Sequence, residues 1–110
     1  MSDGSAILLV LTNLPDQASA LRLAQALVEE RACACVNILA PCVSVYRWQD
    51  VVETATETPL LIKTTRGAYP GLEKIIRAHH PYELPEIIAV PVDVGLPGYL
   101  QWVAQETGTP

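Results

Sequence analysis
The sequence predicts an α+β domain. An antiparallel sheet carries helices on one face, in the order β-α-β-β-α-β plus a C-terminal helix. Three observations lead there. Short apolar runs alternate with two stretches of amphipathic helical spacing. Two long extended segments in the middle of the chain are joined by a tight turn. Half of the 110 residues are hydrophobic and only 17% are charged, against a usual charged share of about 25%. One domain over residues 1–110 is expected from this length. A lone domain of this size leaves roughly a third of its chain surface in water. The apolar excess therefore asks for extra burial, most simply in a homo-oligomer. Phe is absent, so Leu, Val, Ile and Ala must fill the core.

Residues 6–12 form an apolar run without alternation, which suits a strand at a sheet centre. Asn13 offers a cap and Pro15 suits a first helical position. Residues 16–31 are helical, with Ala20, Leu21, Leu23, Ala24, Leu27 and Val28 in one arc of about 160°. Arg31 falls in the expected last turn, where a cation complements the helix dipole. Residues 33–46 read as a long strand containing Pro41, which must lie at an edge or a bulge because proline has no ladder donor. The segment 47–50 turns the chain, and residues 51–65 return with a second proline, Pro59. Two arms of about 14 residues would reach roughly 45 Å, more than one small globule covers. Part of the hairpin should therefore protrude onto a neighbour. Residues 67–80 form the second helix, with Pro70 in its first turn. Its apolar stripe is Tyr69, Leu72, Ile75, Ile76 and His79. Pro81 and Pro85 stiffen the following loop. Residues 87–92 are a strand and 98–106 a short helix. The whole order is the split βαβ, ferredoxin-like arrangement.

Net charge is −5, with seven Lys and Arg scattered singly. That argues against nucleic-acid and anionic-membrane partners. The opening Met1-Ser2-Asp3-Gly4-Ser5 carries acid where a secretory signal carries base. No apolar run approaches the ~18 residues of a membrane span. Three cysteines, an odd count, argue against a disulfide framework. A cytoplasmic protein is expected. Cys33, Cys35 and Cys42 complete no paired zinc motif, so buried small hydrophobes are the simpler reading. Hydrolase and phosphate-loop signatures are missing, and the Thr12–Asp16 segment offers no Arg to cradle an anion. No enzymatic activity is expected.

Several segments together resemble one family. They are Leu27 to Ile38, Tyr46-Arg47-Trp48 with Glu53 and Glu57, Leu61-Ile62-Lys63-Thr64, His79 to Ile88, and Tyr99-Leu100-Gln101-Trp102. In this order, over about residues 6–104, they are similar to the CutA family of divalent-cation tolerance proteins. The resemblance implies a ferredoxin-like fold, a homotrimer related in architecture to PII signalling proteins, and binding of divalent ions, copper foremost. The cation is a ligand here and is not required for folding. Cys35 stands at a family position. Thr12 replaces a cysteine implicated in copper binding in some bacterial members. Asp50 and Cys42 stand where the family has glycines, and Cys33 where alanine is usual.

The residues themselves supply candidate ligands. His79 and His80 are the only histidines, and imidazole is the commonest side-chain metal ligand. Adjacent helical residues diverge by about 100°, so the two rarely chelate one ion. His79 is expected to pack on its apolar stripe. His80 is expected to be exposed and to cap last-turn carbonyls. Glu83, Glu86 or a residue of another protomer would complete a copper set, and the family resemblance adds Cys35. The Pro81–Pro85 loop, with Tyr82, suits a pocket wall or an oligomer contact equally. Tyr46, Trp48 and Trp102 are candidate cleft or interface residues. Lys63 either meets an anion in an intersubunit cleft or pairs with Glu57 on the same strand face. A second functional reading is a PII-like signalling or scaffold trimer that binds a small ligand or partner at subunit clefts.

Overall fold
The computed structural model describes residues 4–108. The first three residues, part of the segment that argues against an export signal, lie outside that range. Strand β1 (Ile7–Leu14) is central, paired antiparallel with β4 (Val51–Thr65) and β5 (Ile87–Pro91). The order is β2-β4-β1-β5, with β2 (Cys35–Ile38) and β3 (Cys42–Trp48) both antiparallel to β4. This is the expected ferredoxin-like sheet with one more strand. Even-numbered Leu8, Val10, Thr12 and Leu14 of β1 point to a buried face, as period two requires. Leu60 and Ile62 of β4 join them beneath helices α1 (Gln17–Glu29) and α2 (Tyr69–His79). Leu23, Leu27, Leu72 and Ile76 close that core from the helix side. Each fully buried Leu or Ile stabilises the fold by roughly 1.5–3 kcal/mol of transfer free energy.

The expected single long strand is split. Ile38 pairs with Leu60 while Cys42 pairs with Glu57, so residues 39–41 oppose only residues 58 and 59. Pro41 cannot donate to the ladder, and the chain bulges there by one residue. A one-residue slip reverses which side chains share a face. On β3, Ser44, Tyr46 and Trp48 face the same way as Glu53 and Glu57 of β4. The hairpin closes through Gln49 and Asp50, both at positive φ (51° and 67°), as a two-residue type I′ turn demands. The arm stretches the molecule to 43 × 25 × 23 Å. Its Cα radius of gyration is 14.5 Å, against roughly 13 Å for a compact chain of this length.

Helix ends differ from expectation. Asn13 belongs to β1, and the cap of α1 is Asp16, whose carboxylate accepts the Ser19 N–H at 2.7 Å. Pro15 precedes that cap. Leu21 and Val28 are exposed, because the sheet covers only the narrower stripe of Ala20, Leu23, Ala24 and Leu27. Arg31 is not in the last turn. It sits beyond the helix at φ 58°, where Arg31 N–H reaches Val28 O and Ala32 N–H reaches Leu27 O. That is the hydrogen-bond pattern of a Schellman motif. Its guanidinium donates to Gly108 O at 2.6 Å and Gln105 O at 2.8 Å. It thus caps α3 (Pro97–Glu106), a helix far away in sequence. Helix α3 lies over the second sheet face, since Tyr99 meets Cys35 and Cys35 points opposite to core-facing Val36. The long helices share one face, and the terminal helix takes the other. Among the described residues no helix is long and apolar enough to cross a membrane.

Candidate functional site
A cleft of about 880 Å³ opens between the hairpin arm, the end of β1 and the 82–86 loop. Asn13 forms one edge and donates to Glu86 Oε1 at 3.3 Å. Tyr46, Trp48, Glu53 and Glu57 come from the hairpin, and Tyr82, Glu83, Leu84, Pro85 and Glu86 from the loop. The two-residue turn at Gln49 and Asp50 pairs Trp48 with Val51 and Tyr46 with Glu53, which sets Tyr46 and Trp48 on the side of Glu53 and Glu57. The lining carries four carboxylates and no Lys, Arg or His.

His80 positions the loop. It is buried, contrary to the expectation of exposure. Its Nδ1 accepts the Tyr82 N–H at 3.2 Å, which leaves the proton on Nε2 to donate to Asn13 O at 2.6 Å. Both ring nitrogens are engaged, and the ring packs on Tyr82 with centroids 4.7 Å apart. Proline at position 81 ends α2, so the next turn drops back toward β1 and carries His80 inward. His79, expected on the buried stripe, is exposed instead. Its Nδ1 donates to Ile75 O at 3.0 Å, which leaves the Nε2 lone pair outward.

Glu57 is only 8% exposed and faces Tyr82. Burial first, and the Glu57 carboxylate next, hold the Tyr82 hydroxyl above the usual tyrosine range. The Lys63–Glu57 pair is absent. Six residues along a strand separate them by roughly 20 Å, and Lys63 Nζ instead donates to Asn37 Oδ1 on β2. Lys63, Cys35 and Trp102 lie outside the cleft lining. Trp102 stacks at a tilt on Tyr99, 5.6 Å between centroids, over the second sheet face. Cys33 is core, and burial pushes its thiol up to about 12. Cys42 is exposed. Of the candidate residues, the structure brings together Tyr46, Trp48, Glu57, Tyr82, Glu83 and Glu86. His79, Cys35, Lys63 and Trp102 stand apart, and His80 supports the loop from behind. Among the described residues no three His, Cys, Asp or Glu are grouped to hold a metal ion. Sequence reasoning did not single out Glu53 or Asn13 as site residues. Glu53 was findable, because it shares a period-two face with Glu57. Asn13 was not, because its role depends on where the distant 80–86 loop lands.

Known proteins supply the remaining comparison. The family described as CutA1 divalent ion tolerance protein matches residues 8–106. A divalent-cation tolerance protein CutA of Thermus thermophilus is 46% identical over 99 residues, covering 90% of this chain and 96% of that protein. A protein CutA of Mus musculus is 42% identical over 93 residues, 84% of this chain. The chain spans about half the length of that mouse relative, 52%. The solved structure of a divalent cation tolerance protein (Cut A1) from Thermus thermophilus matches with a TM-score of 0.91 at 45% identity, covering 93% of this chain and 99% of that one. The chain belongs to the CutA1 divalent ion tolerance family.

Proposed function
We propose that this protein is a homotrimer that binds divalent metal ions, copper foremost, and so contributes to divalent-cation tolerance without catalysing a reaction. The observation that carries the reading is the cleft, whose charged lining residues are all carboxylates. Such a site concentrates cations electrostatically. Glu83 and Glu86 are the cleft's proposed ligands. His79 offers an outward Nε2, and borderline Cu(II) favours imidazole among its ligands. Cys35 is a further proposed ligand. In this arrangement His80 acts by holding the loop. Because one chain groups no three such residues among those described, a neighbouring protomer completes the coordination sphere in this reading. Three unpaired thiols suit a reducing compartment, and the cytoplasm is the proposed location, testable by cell fractionation.

Calorimetric titration with Cu(II) tests the site. Wild type should bind at least tenfold tighter than Glu83→Gln, Glu86→Gln and His79→Ala. Equal weak binding by all four proteins overturns the assignment. A screen of ester and phosphate substrates should show no turnover.

A further inference from the structure
Four features of the cleft suit an extended cation. First, Glu53 and Glu57 share one face of β4, four residues apart, or roughly 13 Å along the strand. Glu83 and Glu86 stand across from them on the loop. The carboxylates are spread out rather than clustered as a metal requires. Second, Glu57 is nine-tenths buried and its carboxylate faces the Tyr82 hydroxyl. No cation in the lining balances its charge. A cation entering the cleft meets this negative charge and the three other carboxylates. Third, Tyr46, Trp48 and Tyr82 bring aromatic rings to the same cavity. Aromatic faces attract ammonium groups and cover methylene chains. Fourth, the volume of about 880 Å³ lies within the range of small-molecule sites.

We propose that this cleft binds a linear aliphatic polyamine, an organic cation with two or more ammonium groups joined by methylene linkers. The ammonium groups meet Glu57 and Glu53, with Glu83 and Glu86 closing from the loop. The linkers lie against Tyr46 and Trp48. This reading shares Glu83 and Glu86 with the metal reading above, but it needs neither clustered ligands nor a second protomer.

The test is calorimetry on chelator-dialysed full-length protein with spermidine, putrescine and tetramethylammonium as probes. Spermidine should bind at least tenfold tighter than putrescine, and tetramethylammonium more weakly still. Raising the salt should weaken binding, because the contacts are ionic. Glu57→Gln and Trp48→Leu should each weaken spermidine binding at least tenfold. Glu29→Gln, on α1 and away from the cleft, should leave it unchanged. Thermal unfolding checks that each variant folds. If Glu57→Gln fails that check, Trp48→Leu on the arm carries the test. Absence of spermidine binding overturns the proposal. So does an equal loss with Glu29→Gln, which marks general surface charge, or unchanged binding by Trp48→Leu. A copper titration on the same preparation separates the two readings. Spermidine binding without copper uptake removes only the metal reading, and copper uptake without spermidine binding removes only this one.

Discussion

His80 shows how one side chain connects the fold to the site. Its two hydrogen bonds tie the start of the 80–86 loop to the end of β1. They place Tyr82 against Glu57 and Glu86 beside Asn13. Replacing it by Ala removes both bonds and leaves a cavity. His80→Ala should lower unfolding free energy by on the order of 2 kcal/mol in denaturant titrations. It should also loosen the cleft without touching any carboxylate. Asp16 makes a pH-dependent contribution just beyond the end of β1. Its hydrogen bonds with Ser19, first the backbone N–H, hold its carboxyl below the ordinary value of 3.8. The folded pKa is the lower one, so the stabilisation is complete above the unfolded value near 3.8. It is lost as pH falls through the folded value. Asp16→Asn keeps a capping oxygen but does not titrate. Thermal unfolding from about pH 5 down to about pH 2 should show wild type losing stability more steeply than Asp16→Asn. Both roles were hard to read in sequence. Asn13 and Pro15 offered an equally good helix start just upstream. The fate of two adjacent histidines depended on which way the chain turned at Pro81.

The hairpin is the element that makes the site. Two long extended arms and a tight turn were legible from the extended segments 33–46 and 51–65 and from the short connection between them. An edge or a bulge at Pro41 was legible, because proline cannot donate to a ladder. Its consequence was not. The bulge shifts β3 by one residue relative to β2, and the two-residue turn then decides that Tyr46 and Trp48 share a face with Glu53 and Glu57. The turn itself carries strain. Gln49 and Asp50 both hold positive φ, a region that costs a residue with a Cβ roughly 1–2 kcal/mol. Asp50→Gly should stabilise the protein by up to about 1 kcal/mol, part of the relief being offset by greater unfolded-chain entropy. The change should appear as a higher midpoint in chemical denaturation at an unchanged slope.

At the scale of the whole molecule, the hairpin has two unlike faces. One is the aromatic and acidic wall of the cleft. The other presents Val43, Val45 and Val52, which are 70%, 67% and 60% exposed, Val45 also reaching the rim of the cleft. On the sheet, Ile88 and Val90 are also open, as are Val94 and Leu96 between β5 and α3. Exposed apolar surface of this extent marks an interaction site, and the proposed trimer uses it. Light scattering should give three times the 11.9 kDa chain mass. The double substitution Val43→Lys and Val45→Lys should reduce the mass to that of a monomer while helical circular dichroism persists. A wild-type mass equal to one chain removes the trimer. The apolar excess in the composition was therefore informative at this scale, since it foretold surface that one chain leaves uncovered.

The sequence by itself determined the order of elements, apart from the split second strand, and the centre of the core stripe of each long helix, but not its edges at Leu21, Val28 and His79. Periodicity and proline placement act locally, and neighbouring residues carry that information. Only the tertiary structure decided where the 80–86 loop lands, and that His80 turns in while His79 turns out. It also decided that Arg31 caps a helix more than 70 residues away and that Lys63 pairs with Asn37 rather than Glu57. Each of these depends on strand register and chain reversal. A shift of one residue in pairing exchanges the two faces of a strand, and nothing in the local pattern records it.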